Sequence, residues 1–330
     1  MANPEYDLVG IGNAMVDVIA HADDAFLAAQ GLEKGAMTLI DAARAEHLYA
    51  LMPPGIEASG GSAGNTMAAF ASLGGRGAYI GKVSDDQLGQ VFRHDIRAAG
   101  VAFDVPPARS GEPTGRCLIV VTDDAQRTMQ TFLGAGRDLE PADVDDELIA
   151  RSAVTYMEGY LWDPPGAKQA FLKAARIAHG AGRRVSISLS DPFCVERHRE
   201  EFVDLVAHHV DILFANEHEI MSLYRAQTFD EALQRVRNAC EVAALTRSAK
   251  GSVIVAGDEL HVIDAEPMPQ IVDSTGAGDA YAAGFLFGLA GGRPLAVCGR
   301  IGGVAAAEVI SHVGARPAQP LRALVQHLLV

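Results

Sequence analysis

Asp273-Ser274-Thr275-Gly276-Ala277-Gly278-Asp279-Ala280 stands between two apolar segments of different kind. The pair Ile271-Val272 before it reads as the end of a strand, and the uncharged residues from about Gly278 to Leu289 read as a helix. Glycines at a helix start let backbone N–H groups converge on one point, where the helix dipole favours negative charge. An aspartate at that point has two readings. In one, Asp279 is a first-turn carboxylate that satisfies free N–H groups. In the other it is a general base beside an anion hole. It would take the proton of an attacking hydroxyl while the N–H groups of Gly276, Ala277 and Gly278 steady a transferred phosphoryl group.

Working outward, short apolar runs alternate with helical stretches. Tyr6 to Ile11 and Ala78 to Val83 read as strands; Asn65 to Leu73 and Gln87 to Ala99 read as helices closed by glycines. Val154 to Met157, Val185 to Leu189 and Ile212 to Ala215 are separated by helical Gly166 to His179 and Arg199 to His208. Ala243 to Thr246 and Val253 to Ala256 continue the strands, and Leu295 to Ile310 is the last long helix. This alternation predicts βαβ units and a mostly parallel sheet. Two regions break the rhythm: Val16 to Ala20 with Ala36 to Ile40, and Arg116 to Thr122 with Thr128 to Leu133. Polar turns such as Thr122-Asp123-Asp124 join these pieces, so a small β-sheet lid over an α/β body is expected.

The chain has 330 residues, and its formal charge is 27 − 42 = −15. At 49% hydrophobic and 21% charged it has the composition of a packed protein and not of a disordered one. Its negative charge argues against nucleic acid and anionic membrane as partners, because both need a basic footprint. A small anionic ligand stays open, since local dipoles can outweigh net charge. The opening residues lack a basic and an apolar region, so no secretory signal is expected. The uncharged run Ala280 to Gly292 is too short to span a bilayer. Four widely spaced cysteines, with no C-x-x-C pair, read as reduced thiols of a cytoplasmic protein.

A second glycine cluster, Gly60-Gly61-Ser62-Ala63-Gly64-Asn65, also precedes a helix. It contains G-x-S-x-G, the serine-hydrolase elbow, but Gly55 to Ser59 reads as a poor strand where the elbow needs a strong one. Close backbone approach to a polyhydroxyl ligand, with Asn65 supplying an amide, fits better; a flexible loop is the plain alternative. Other fragments are incomplete. Gly10-Ile11-Gly12 is followed by Met15 where a dinucleotide fingerprint needs glycine, and His218-Glu219 by Ser222 where a zinc motif needs histidine. No structural zinc is expected. Asn216 and Glu219 share a helical face at a strand's C-terminal edge, which suits either ordered waters around Mg²⁺ or a helix cap with a first-turn acid. Asp17 is a carboxylate suited to a vicinal diol, or else a surface residue. Arg127, after Asp123-Asp124, reads by itself as a residue paired in a solvated turn.

Together the segments Gly60 to Asn65, Asn216-x-x-Glu219 and Asp273 to Asp279, in that order, resemble the ribokinase-like (PfkB) carbohydrate and nucleoside kinases. The resemblance covers essentially the whole chain, residues 1–330, as one kinase domain. It implies a three-layer α-β-α sandwich with a mostly parallel central sheet and a discontinuous β lid at approximately 16–48 and 112–134. Within the family the chain is most similar to adenosine kinases. Gly12-Asn13-Ala14-Met15-Val16-Asp17 resembles their G-N-x-x-x-D segment, whose aspartate holds ribose hydroxyls, and Thr114-Gly115-Arg116-Cys117 their lid T-G-x-C. Ser274-Thr275 and Ala14 depart from the family's Thr-Asn and Pro.

The resemblance implies transfer of the ATP γ-phosphoryl to a primary hydroxyl, with Asp279 as base and Gly276, Ala277 and Gly278 as anion hole. Asn13, Asp17, Gly60, Gly61, Asn65, Glu158 and Tyr160 would bind the acceptor. Arg127, Asn216, Thr246, Ser248, Gly251 and Gly278 would bind ATP, and Asn216 with Glu219 would order Mg²⁺ through water. A monovalent cation such as K⁺ belongs to the same expectation. The acceptor is expected to be a nucleoside, most of all adenosine, with a fructose or ribose kinase as the alternative. A silent nucleoside-binding protein and a Ser62 hydrolase are the rivals of other classes. Monomer and homodimer both stay open.

Overall fold

A computed structural model describes residues 3–124 and 126–329. Its strands, in chain order, are β1 (Tyr6–Ile11), β2 (Met15–His21), β3 (Met37–Leu39), β4 (Ile56–Gly60), β5 (Gly77–Ile80), β6 (Val101–Ala102) and β7 (Gly115–Val121). They continue with β8 (Arg127–Phe132), β9 (Ser152–Glu158), β10 (Arg184–Ser188), β11 (Ile212–Asn216), β12 (Val242–Thr246), β13 (Ser252–Ala256) and β14 (Glu259–Ile263). The large sheet runs β14-β13-β12-β11-β10-β9-β1-β5-β6. Its pairs from β12 through β6 are parallel, and only β13 and β14 are antiparallel.

The parallel strands read as near-continuous apolar runs because helices cover both faces. Every residue of β5 and all but one of β9 are buried. Residues Pro165–Gly180 return the chain from β9 to β10, and Arg199–His208 from β10 to β11, as βαβ crossovers. The helix Ala277–Ala290 is apolar on nearly all sides and lies inside the body, between Ser62–Ser72 and Leu295–Val309. Phe285 from its middle meets Phe214 of β11 edge to face at 5.5 Å.

The second sheet has the order β3-β8-β7-β2-β4. The expected hairpin is β7 and β8, antiparallel and in register from Arg116↔Phe132 to Val121↔Arg127. Strand alternation on β2 sends Val16 and Val18 to the main core and places Met15 on the other face. There Met15 packs with Cys117, Ile119 and Val121. Asp17 stands in register with Cys117 on that second face.

Three local readings need correction. Gly55 to Ser59 is not a poor strand: Ile56–Gly60 is β4, antiparallel to β2, and its backbone pairing outweighs a weak apolar pattern. The second sheet therefore draws on 15–60, beyond the expected boundary at 48. The same region contains helices Asp24–Gln30 and Ala42–Leu51, which polar turns had masked. Asp23 and Asp41 cap them, each accepting an N–H three residues on. Ile271-Val272 is not a strand; the N–H groups of Val272 and Asp273 donate to Ile310 O at the end of the last long helix.

Phe285 is fully buried between the sheet and the surrounding helices. Phe285→Ala is expected to cost about 3–5 kcal/mol of stability, the usual range for a buried aromatic lost from a packed core. Urea unfolding followed by circular dichroism measures it; a loss below about 1 kcal/mol would mean that this part of the core is not close-packed.

Candidate active site

Parallel pairing aligns the C-terminal ends of the central strands. Ser188 is in register with Glu158 on one side and Phe214 on the other, and Asn216 with Thr246. Asn13, Glu158, Asn216 and Thr246 thus lie along one edge, the edge at which open α/β sheets hold ligands. Two helix N-termini reach the same edge. Ser62 opens one helix and Asp279 lies in the first turn of the other, and Ser62 Oγ donates to Asp279 Oδ1 at 2.6 Å. The helices then run together to Phe70 and Phe287, whose rings meet at 6.0 Å.

Asp279 is half-buried, and protein surrounds its carboxylate closely. Burial pushes it up to about 7, and the negative charges of Glu158 and Asp17 add to the rise; hydrogen bonds from Ser62 and Asn65 oppose it. A carboxylate in that range exchanges a proton near neutral pH. Gly276 precedes the helix at φ 78, a left-handed turn that glycine adopts without strain. Ala277 N–H donates to Ser274 O at 3.3 Å. At Gly278 a side chain would meet nothing within 4 Å, so the backbone faces open space there.

Asp17, on β2, stands against Gly60; a Cβ on Gly60 would lie 2.3 Å from its carboxylate. Burial raises Asp17 to about 6, and the positive charges of Arg316 and Arg127 hold it down. Asn65 is buried one helical turn beyond Ser62. Asn13, also buried, donates through its backbone N–H (2.8 Å) and Nδ2 (2.6 Å) to Glu158 Oε1. Its Oδ1 has no partner, an orphaned buried acceptor.

Glu158 was expected to face the acceptor. It is instead 1% exposed, and its Oε2 accepts Ala63 N–H at 2.7 Å. Gly61, before that helix, has no side chain to cap it, so Glu158 supplies the carboxylate that the helix N-terminus needs. Tyr160 lies in the turn after β9, with its hydroxyl donating to Ser190 O at 3.3 Å. Burial pushes its hydroxyl up, and the negative charges of Asp191, Asp279, Glu219 and Glu158 add to the rise.

Arg127 does not sit in a solvated turn. From the start of β8 it forms an ion pair with Asp273, both side chains almost fully buried. Its Nε and Nη2 lack partners, and two orphaned guanidinium donors fit a phosphate oxygen. Asp273 also accepts Thr275 N–H (3.0 Å) and Gly314 N–H (2.9 Å). Asn216 and Glu219 form a reciprocal capping box: Glu219 N–H donates to Asn216 Oδ1 at 2.9 Å, and Asn216 N–H to Glu219 Oε2 at 2.8 Å. Asn216 Nδ2 takes the other oxygen at 2.6 Å. Burial, with Asp191 nearby, raises Glu219 to about 7. Among the described residues no three His, Cys, Asp or Glu side chains are grouped to hold a metal directly. Thr246 ends β12, and Ser248 and Gly251 lie in the turn that leads to β13, beside the pairing of Arg247 with Glu217 at 3.0 Å.

Ser62 stands where a hydrolase elbow would carry its nucleophile. A strand does precede it, which removes that objection, but its hydroxyl donates to a carboxylate on a distant helix. Arg316 had no local signal at all. It is one arginine before a proline, and it reaches Ser59 Oγ (2.6 Å), Asp95 Oδ2 (3.2 Å) and Asn65 Oδ1 (3.4 Å). Among the described residues no helix is long and apolar enough to cross a membrane.

With this geometry established, the chain compares closely with known proteins. The family described as pfkB family carbohydrate kinase matches residues 55–322. A crystal structure of adenosine kinase from Sinorhizobium meliloti is 53% identical with a TM-score of 0.90, covering 98% of this chain and 99% of that one. A probable sugar kinase from Rhizobium etli CFN 42 is 50% identical with a TM-score of 0.91, covering 99% and 100%. The adenosine kinase of Saccharomyces cerevisiae is 27% identical, covering 93% of this chain and 95% of its own.

The raised Asp279 makes a stability prediction. Its folded value of about 7 lies above the usual 3.8, so the folded chain holds this proton more tightly than the unfolded chain. Stability from this group is full at low pH and falls as pH rises from about 4 through about 7. Asp279→Asn keeps an oxygen for Ser62 and removes the charge. Its Tm is expected above that of the unaltered chain at about pH 8, with the gap closing near pH 4. A scanning-calorimetry series with no gap at the higher pH would mean that ionisation there carries no cost.

Proposed function

The chain belongs to the pfkB family of carbohydrate kinases, and from that premise we propose that it transfers the ATP γ-phosphoryl to the 5′-hydroxyl of a nucleoside, adenosine before others. The observation that carries this reading is Asp279, raised to about 7 at a glycine-lined helix start, with the Asp17–Gly60–Asn65 cup beside it. The likeness to the Sinorhizobium meliloti adenosine kinase supports adenosine as acceptor. The likeness to a probable sugar kinase supports the second reading, a fructose or ribose kinase with the same machinery.

In the proposed reaction Asp17 accepts the two hydroxyls of the ribose diol, and Asn13 Oδ1 and Asn65 hold the remaining polar atoms of the sugar. Asp279 takes the proton of the 5′-hydroxyl as its oxygen bonds to the phosphorus and the bond to the ADP oxygen breaks. ATP with Mg²⁺ supplies the phosphoryl group and neutralises part of its charge. The backbone N–H groups of Gly276, Ala277 and Gly278 face that charge, the Ala277 group exchanging its long bond to Ser274 for the anion. The unpartnered nitrogens of Arg127 meet the same phosphates and bring the second sheet over the site, which excludes water as a competing acceptor. Asn216 and Glu219, which hold each other in the capping box, would order the waters of a bound Mg²⁺, and Thr246, Ser248 and Gly251 line the nucleotide side.

Turnover with ATP of adenosine, inosine, guanosine, ribose and fructose tests the acceptor; a preference for a free sugar would overturn the nucleoside assignment. Asp279→Asn is expected to lower kcat by at least ~100-fold with adenosine binding nearly unchanged. A folded variant with near-normal kcat would remove Asp279 from the mechanism.

The diol clamp is tested with altered acceptors. Leaving part of a desolvated carboxylate unpaired costs ~1–3 kcal/mol, roughly a ten- to hundred-fold loss in kcat/KM. 2′-Deoxyadenosine and 3′-deoxyadenosine are expected to be poorer than adenosine by that factor, and Asp17→Ala to shrink the difference. Equal rates on all three, or discrimination that survives Asp17→Ala, would reject the clamp.

A further inference from the structure

Arg316 lies outside every motif, in the loop after the helix Leu295–Val309, and that loop is held at both ends. Gly314 N–H donates to Asp273 Oδ2 at 2.9 Å, and the N–H groups of Ala318 and Gln319 both donate to the buried Glu308 Oε1 at 3.0 Å. Between these points the side chain enters the acceptor side of the site. Nη1 and Nη2 are fixed by Asp95 Oδ2 (3.2 Å) and Ser59 Oγ (2.6 Å). Ser59 is itself fixed on Asp95 Oδ2 through its N–H (2.8 Å) and its hydroxyl (2.6 Å). Nε then points at Asn65 Oδ1, 3.4 Å away.

A guanidinium only donates, so an amide that faces it must present its oxygen. That leaves Asn65 Nδ2 turned away from Arg316, and the Asn65 amide helps to hold the Asp279 carboxyl down. The fixed charge of Arg316 also acts on Asp17. We propose that Arg316 is a positioning residue for the acceptor pocket: it sets which end of the Asn65 amide faces Asp279, and it places a permanent positive charge beside Asp17.

The inference rests on the reading of this pocket as a diol site. The groups that bear on Asp17 are Arg316 from the C-terminal loop, Arg127 from β8, Cys117 from β7 and Asp279 from the buried helix. Loss of Arg316 leaves Arg127 as the one cation among them, so Asp17 is expected to ionise at higher pH.

The test is steady-state kinetics of Arg316→Met, Arg316→Lys and Asp95→Asn, each checked for folding by circular dichroism. Arg316→Met is expected to raise KM for adenosine at least ~10-fold, with KM for ATP changed less than about twofold. The acid limb of the ¹³C-carboxyl titration of Asp17 in the unliganded protein is expected to move up by about half a pH unit or more. Arg316→Lys keeps the charge and returns that limb toward its original position. Its KM stays raised, because a point donor cannot serve Asn65 and Ser59 together. Asp95→Asn, which loosens Arg316 without removing its charge, raises KM for adenosine but does not move the limb upward, and it serves as the test if the Met variant fails to fold. Equal rises in both KM values, an unchanged KM for adenosine, or an unmoved acid limb in Arg316→Met would overturn the proposal. If the unaltered chain turns over no acceptor of the panel, the diol reading fails by itself. Arg316 is then judged on the ¹³C-carboxyl titration of Asp17 in the unliganded protein, which shifts upward in Arg316→Met if the proposal holds and stays in place if it does not.

Discussion

Taking a carboxylate out of water costs several kcal/mol unless donors or positive charge face it, and this chain does so with four: Glu158 and Glu219 at one edge of the large sheet, Asp279 on the helix that reaches that edge, and Asp17 on β2 of the second sheet. Much of the surrounding structure answers that constraint. Glu158 receives three N–H groups from Asn13 and Ala63. Glu219 is closed into a box with Asn216. Asp17 and Asp279 are provided for less fully. Asp279 accepts one hydroxyl, that of Ser62, and Asp17 has the fields of two arginines with no direct partner among the described residues. The two carboxylates left short of donors are the two assigned to touch the acceptor, whose hydroxyls would complete them.

Asp273 joins parts that the chain brings together late. It binds Arg127 from the second sheet, Thr275 of the glycine turn and Gly314 of the C-terminal loop. The same loop then carries Arg316 to Asn65. The turn assigned to the phosphates and the cup assigned to the acceptor are thereby braced against each other through one carboxylate and one guanidinium. A displacement of either would be felt at Asp279, which lies between them. Such bracing holds reacting groups in place at the moment of transfer.

The alternation of apolar runs and helical stretches identified the parallel sheet because each of those signals is local: strand period, helix period and glycine stops are written within ten residues or so. The hairpin of β7 and β8 was legible for the same reason. β4 was not, since Ile56-Glu57-Ala58-Ser59 is polar and half-exposed and becomes a strand only by pairing with β2. Ile271-Val272 failed in the opposite sense. Its apolar pair suggests a strand, but the N–H groups of Val272 and the following Asp273 are taken by a helix end and not by a neighbouring strand.

Of the site, sequence by itself determined the chemistry on offer: glycines before two helices, Asp279 in the first turn of one, Asn65 in the other, and Asn216 three residues before Glu219. These residues carry their meaning in their immediate neighbours. Only the tertiary structure decided which of them meet. Ser62 reaches Asp279 across 217 residues and Arg316 reaches Asn65 across 251. It made Glu158 the cap of a helix, and it took Arg127 out of a solvated turn into a buried pair with Asp273. Capping, periodicity and turn chemistry act over a few residues, whereas a buried ion pair or a shared hydrogen bond depends on which surfaces the packed core brings into contact. No spacing in the chain records that.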